Sequence, residues 1–171
     1  MILMKPILIL QHAKYDWPGY LLDYFIELKI PHVVIDIDQG DQLPNDLLDF
    51  SGFAIMGGAM SANDEKQLPY MAKAYDLLAM ALQQRVPVIG HCLGGQMLAR
   101  AIGGKVVKAK NSEIGWQKIQ PEPNSVSLEW WGDAEPRFLF EWHNETFELP
   151  SSAQLIATSA YCQNQAFVYD E

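Results

Sequence analysis

An α/β domain with a mainly parallel sheet is what this 171-residue sequence predicts: helices flank the sheet as three layers, and a small antiparallel extension follows. Three observations carry the prediction. Short apolar runs alternate with segments of helical periodicity through the first part of the chain, the pattern of strand–helix–strand crossovers. Two of these runs end in glycine, at Gly57-Gly58 and at Gly90, and a parallel α/β sheet collects function at the carboxyl ends of its strands. Beyond residue 104 the chain changes to short β-rich runs joined by turns rich in Pro and Asn.

The apolar start at residues 1–10 is interrupted by Lys5-Pro6 and reads as a first strand at residues 6–10. Trp17-Pro18-Gly19 then introduces residues 20–29, where Leu21, Leu22, Phe25 and Leu28 recur at helical spacing. Residues 32–37 and 53–56 form the next two strands, separated by an acidic loop at 38–49. Residues 68–84 are rich in Ala, Leu and Met, with Pro69 suited to a first helical turn. A buried strand at 86–89 and a helix at 94–102 follow, and then five short strands at 105–107, 115–120, 138–142, 155–159 and 165–169. The whole chain, residues 1–171, is expected to be one domain.

Composition narrows the partners. Apolar residues make up 49% and charged residues 19%, ordinary for a chain with a packed core. A formal net charge of −9 argues against sequence-independent nucleic-acid binding, which needs clustered Lys and Arg, and favours a small-molecule substrate. No apolar run approaches the ~20 residues of a membrane-spanning helix. Cys92 and Cys162 lack the spacing of a disulfide framework, and a cytoplasmic location is expected.

The richest segment is Val86-Pro87-Val88-Ile89-Gly90-His91-Cys92-Leu93-Gly94-Gly95-Gln96, an apolar strand passing through Gly-x-Cys-x-Gly into a helix. Small residues two before and two after the cysteine permit a sharp, strained turn that projects its side chain, a nucleophile elbow with Cys in place of Ser. The same turn sets Cys92 at a helix amino terminus, where unpaired N–H groups and the dipole favour thiolate over thiol. A cysteine is more often a small buried core residue. Here the strand, both glycines, Gln96 and the helix coincide, which points to acyl transfer; Cys162 has no elbow around it and reads as core.

On these residues the chain resembles the class I glutamine amidotransferases. Gly90-His91-Cys92-Leu93-Gly94-Gly95-Gln96 is similar to their active-site motif, and Met56-Gly57-Gly58-Ala59-Met60 to their oxyanion strand. Glu113-Ile114-Gly115-Trp116 resembles a segment common in stand-alone members, and Trp142-His143-Asn144-Glu145-Thr146-Phe147 their substrate-facing loop. The resemblance implies a flavodoxin-like fold in which Cys92 attacks the side-chain amide of L-glutamine, releases ammonia and leaves a γ-glutamyl thioester for water. It implies an oxyanion hole from the N–H groups of Gly58 and Leu93. Substrate contacts would come from Gly57, Met60, Gln96, His143, Asn144 and Glu145, although Asn144 and Glu145 stand where relatives often carry a glycine and another residue. An ammonia-accepting partner protein is implied, and no cofactor.

In the family, the general base and its orienting carboxylate come from a His-x-Glu pair downstream of the segment that Gln165-Ala166-Phe167-Val168-Tyr169 resembles. The sequence ends at Glu171, with Tyr169 rather than His two residues before it. The favoured expectation is a truncated form of an active, guanylate-synthase-like enzyme; a short homologue without glutaminase activity and substitution by His143 are the other two. A non-catalytic glutamine-binding module and a γ-glutamyl peptidase are the functional alternatives. His91, adjacent to Cys92, is expected to be packed or to act from behind the nucleophile, and His143 to be structural. His12 and His32 have no partner suggested by spacing, and the scattered histidines predict no metal site. The aromatic cluster from Trp130-Trp131 through Trp142 is expected to pack the antiparallel extension, with an acceptor-protein surface as the other reading.

Overall fold

The apolar run after Pro6 becomes strand β1 (Ile7–Gln11), and every one of its residues from Leu8 to Gln11 is buried. The computed structural model describes residues 4–169; Met1 to Leu3 of the expected first run, and Glu171, lie outside the described residues. The chain divides into two compact units, Met1–Ala101 and Ile102–Glu171.

In the first unit β1 is joined in parallel by β2 (His32–Asp36), β3 (Gly52–Ile55) and β4 (Val88–Gly90), in the order β2-β1-β3-β4. Parallel register pairs Ile9 with Val34 and with Ala54, and Ala54 with Ile89, so these side chains share one face. Helix α1 (Tyr20–Glu27) covers part of that face, packing Phe25, Leu21 and Leu22 against Ile9, Ala54, Met56 and Val34. On the opposite face lie α2 (Pro69–Gln84), which opens on Pro69 as expected, and α3 (Leu93–Ala101). Gly94 of α3 sits so close to β3 that a Cβ there would stand 2.1 Å from the Ile55 carbonyl oxygen. Helices on both faces of a parallel sheet explain the continuous apolar strands. Over β4 the α1 face is thinly covered, and Ile89 is 41% exposed.

The second unit is an antiparallel sheet in the order β6-β5-β7-β8, as many strands as the parallel one. Strand β5 runs unbroken from Lys105–Pro121 where two short strands are expected, because a register irregularity between Lys108 and Glu113 lets one strand carry both runs. Its partner β6 (Arg137–Glu148) continues through the segment expected to be a substrate-facing loop; β7 (Ala153–Ser159) and β8 (Ala166–Tyr169) complete the sheet. Between β5 and β6 lies a helix absent from the expected elements, α4 (Ser125–Trp131). Asn124 caps it by accepting a hydrogen bond from the Ser127 N–H at 2.8 Å, and Gly132 ends it in the left-handed region.

No helix among the described residues is long and apolar enough to cross a membrane.

Candidate active site

Cys92 links the end of β4 to the start of α3 with φ 50°, a left-handed conformation that costs a non-glycine residue energy and persists only where its surroundings impose it. Those surroundings are visible. The His91 N–H donates to the Ile55 carbonyl at 2.9 Å, extending the β3–β4 ladder up to the turn, and the Gly94 and Gln96 N–H groups donate back to His91 and Cys92 at 2.9 and 3.0 Å. A Cβ on Gly90 would lie 2.4 Å from the Gly94 backbone, so the two glycines of the motif are required by each other. The elbow is thus formed, and the Cys92 side chain is solvent-exposed.

The loop after β3 lies alongside it. A Cβ on Gly57 would stand 3.5 Å from the Cys92 Cβ, and one on Gly58 would stand 2.9 Å from Leu93 Cδ2 and 3.0 Å from Met60 Sδ. Gly57, Gly58, Met60, Cys92 and Leu93, all anticipated from the sequence, are therefore brought together within one unit. Gln96 is on the same helix, buried to 7% exposure. Farther along, Arg100 at the end of α3 donates to the Ala62 carbonyl at 2.7 Å and makes a two-pronged pair with Glu65, while Tyr75 of α2 also donates to Ala62. Arg100 holds the Glu65 carboxyl down at about 2. The loop carrying Gly57 and Gly58 is thereby tied to both helices behind the sheet.

His143, Asn144 and Glu145 lie on β6 in the second unit. His143 is committed at both ring nitrogens: Nδ1 to the Glu145 carbonyl at 3.0 Å and Nε2 to Glu113 Oε2 at 3.0 Å. Fully buried Glu113 also accepts from Ser159 Oγ at 2.6 Å and from the Gln165 side-chain amide. Pairing of Glu113 with His143 across β5 and β6 creates this network, and it supports the structural reading of His143. Among the described residues, Glu113, His143 and Cys162 form a group that could hold a metal ion, with donor atoms within 4.8 Å of one another. Hydrogen bonds already engage these atoms, including those of Cys162 Sγ with Thr146 and the Asn164 carbonyl.

Two expectations are corrected. His91 is exposed rather than packed, because it follows β4 on the thinly covered face; it lines a cleft of about 680 Å³ with Tyr15, Trp17, Tyr20, Tyr24 and Gly57. The aromatic residues of the second unit do not pack the extension: Trp130 and Trp142 are 61% and 75% exposed. Register explains the latter, since Ile114 pairs with Trp142 and Trp116 with Phe140 on one face of the β5–β6 ribbon, while Glu113 and His143 occupy the other. His12, given no role from sequence, lies against Gly58, 3.3 Å from the added Cβ. Only the three-dimensional return of the β3 loop to the end of β1 discloses that contact.

Comparison with known proteins agrees with this geometry. The profile described as Glutamine amidotransferase class-I matches residues 19–169. The glutamine-hydrolysing component of GMP synthase from Saccharolobus solfataricus is 30% identical over 160 residues, 93% of this chain and 73% of the relative; the Thermoplasma acidophilum counterpart is 33% identical over 74% of this chain and 63% of the relative. Gamma-glutamyl peptidase 3 of Arabidopsis thaliana is 31% identical over 129 residues, 72% of this chain and 51% of the relative. Among solved structures, a glutamine amidotransferase from Methylobacillus flagellatus superposes with a TM-score of 0.93 at 45% identity, covering 98% of this chain and 67% of that one. With an elbow, a glycine-rich strand end beside it and a matching profile over most of its length, the chain belongs to the class I glutamine amidotransferases.

Proposed function

We propose that Cys92 is the nucleophile of a glutamine-hydrolysing reaction. Its sulfur attacks the side-chain amide carbon of L-glutamine, the C–N bond breaks, ammonia leaves, and water then splits the γ-glutamyl thioester to give glutamate and restore the thiol. The observation that carries this reading is the strained Cys92 backbone at φ 50°, held between two glycines that only a close-packed elbow requires. The N–H groups of Gly58 and Leu93 are assigned to the developing oxyanion: Leu93 opens α3, and the first N–H groups of a helix have no partner inside it. Gly57, Met60 and Gln96 are assigned to the substrate, as are the backbone groups of His143, Asn144 and Glu145. His143 receives no acid–base role, since both its nitrogens are engaged. By analogy with relatives named as one component of GMP synthase, ammonia is passed to a separate acceptor protein.

The similarity to a γ-glutamyl peptidase favours a second reading, in which the same thioester forms from a γ-glutamyl amide and an amine leaves instead of ammonia. A glutamine-derived diazo-ketone, with the adduct located by mass spectrometry, tests the shared nucleophile. The adduct is expected on Cys92, protected by L-glutamine and abolished in Cys92→Ser. An adduct elsewhere, or one that glutamine does not protect, would remove the assignment. Product analysis with L-glutamine and with γ-glutamyl dipeptides separates the two readings.

A further inference from the structure

We propose that His12 is a positioning residue, one that sets where Gly58 presents its N–H to the oxyanion; this rests on the reading of Gly58 as an oxyanion donor. His12 is the residue after β1 and is 0% exposed. Its Nδ1 lies 3.1 Å from the Tyr70 hydroxyl, in the first turn of α2. Its Nε2 is buried and has no hydrogen-bond partner among the described residues. An imidazole in such a place is an expensive choice: a buried polar atom left unsatisfied costs about 1–3 kcal/mol, a penalty absent from an apolar side chain of the same shape. Filling space does not explain it.

What an apolar residue lacks is a directional bond. Gly58 sits in a slot with three walls: Leu93 Cδ2 at 2.9 Å, Met60 Sδ at 3.0 Å and His12 Cβ at 3.3 Å from the position a Cβ would take. The leucine and methionine walls are flexible apolar ends. The third wall is fixed, because the His12 ring is held through Nδ1 to a helix on the far side of the sheet. His12 thus transmits the position of α2 to the glycine loop and stops the loop from sinking toward β1. Oxyanion donors work only within a few tenths of an ångström of the correct distance, and a displacement of about 1 Å can cost on the order of a hundredfold in rate.

Two alkylating reagents with different demands on this loop provide the test, read as second-order rates of Cys92 modification by mass spectrometry. A chloroketone analogue of L-glutamine places its carbonyl oxygen where the amide oxygen would lie, whereas iodoacetamide is attacked at a methylene carbon and needs no oxyanion donor. His12→Phe keeps a ring but loses the bond, Tyr70→Phe removes the bond from the other side, and His12→Asn keeps a polar atom near the place of Nδ1. Chloroketone labelling is expected to fall by about tenfold or more in His12→Phe and Tyr70→Phe, with iodoacetamide rates within about twofold of the wild type, and to recover in His12→Asn. Unchanged chloroketone rates in both phenylalanine variants would overturn the inference alone. So would an equal fall with both reagents, which would mean a general loss of the elbow. Absence of any glutamine-protectable adduct in the wild-type protein would instead overturn the nucleophile assignment, and this inference with it.

Discussion

Burial pushes the pKa of His12 down from its ordinary 6.5 to about 4, so the folded protein keeps this ring neutral while the unfolded chain takes up a proton as the pH falls below 6.5. The stability linked to it is present above 6.5 and is lost as the pH falls through the interval from 6.5 to about 4. In full, the depression corresponds to about 3 kcal/mol, an order-of-magnitude figure at ~1.4 kcal/mol per pH unit. Tyr70, its partner, is pushed up to about 12 by burial and by Asp38 and Asp64 nearby, and so does not titrate in this window. Urea unfolding of the wild type and of His12→Phe at pH 7 and at pH 4.5 should therefore diverge: the wild type loses up to about 3 kcal/mol more than the variant on acidification. Parallel losses would show that His12 is not held neutral. Combined with slower chloroketone labelling, a variant that is more acid-resistant but less reactive would place His12 among residues kept for geometry at the expense of stability. Nothing local in Gln11-His12-Ala13 announces this, because the Tyr70 partner is fifty-eight residues away.

At the scale of elements, α3 meets the sheet at a single backbone contact. A Cβ at Gly94 would stand 2.1 Å from the Ile55 oxygen, a strand atom that cannot rotate aside, whereas one at Gly95 would stand 3.3 Å from the Gly90 oxygen. Gly94→Ala is accordingly expected to destabilise the protein by about 3 kcal/mol or more through forced separation of α3 from β3. Gly95→Ala should stay within about 1 kcal/mol of the wild type, since alanine's better helix propensity offsets the mild crowding. Chemical denaturation of the two variants decides this, and similar costs would contradict the packing described. The elbow was legible in the sequence because its whole grammar, Gly90, Cys92, Gly94 and the flanking strand and helix, lies within one short stretch. Less legible was the second unit: the merging of two runs into β5 depends on an irregularity against β6, and the Glu113–His143 bond on a register between strands thirty residues apart. Helix α4 had its signals in Asn124, Ser127 and Gly132, but the adjoining Trp130-Trp131 favoured a packing explanation that the exposure of Trp130 contradicts.

Across the whole molecule, the anticipated substrate contacts fall into two sets, one in each compact unit: Gly57, Met60 and Gln96 in Met1–Ala101, and His143, Asn144 and Glu145 in Ile102–Glu171. The first set is tied to the nucleophile by the elbow and by the loop that Arg100 anchors through Ala62 and Glu65. The second is tied to Glu113, Ser159 and Gln165, a network complete within its own sheet. Ligand that binds the native state stabilises the segments it touches, and amide hydrogen exchange reads that stabilisation segment by segment. With saturating L-glutamine and the Cys92→Ser variant, which binds without turning over, slower exchange is expected in residues 57–60 and 92–96. The stretch 143–145 then reports independently on the contacts assigned from β6. Exchange unchanged at 57–60 and 92–96 would detach glutamine from the elbow altogether, leaving the family membership intact but the substrate to be sought among other γ-glutamyl amides; protection confined to the first unit would restrict the role of His143 to holding its own sheet together.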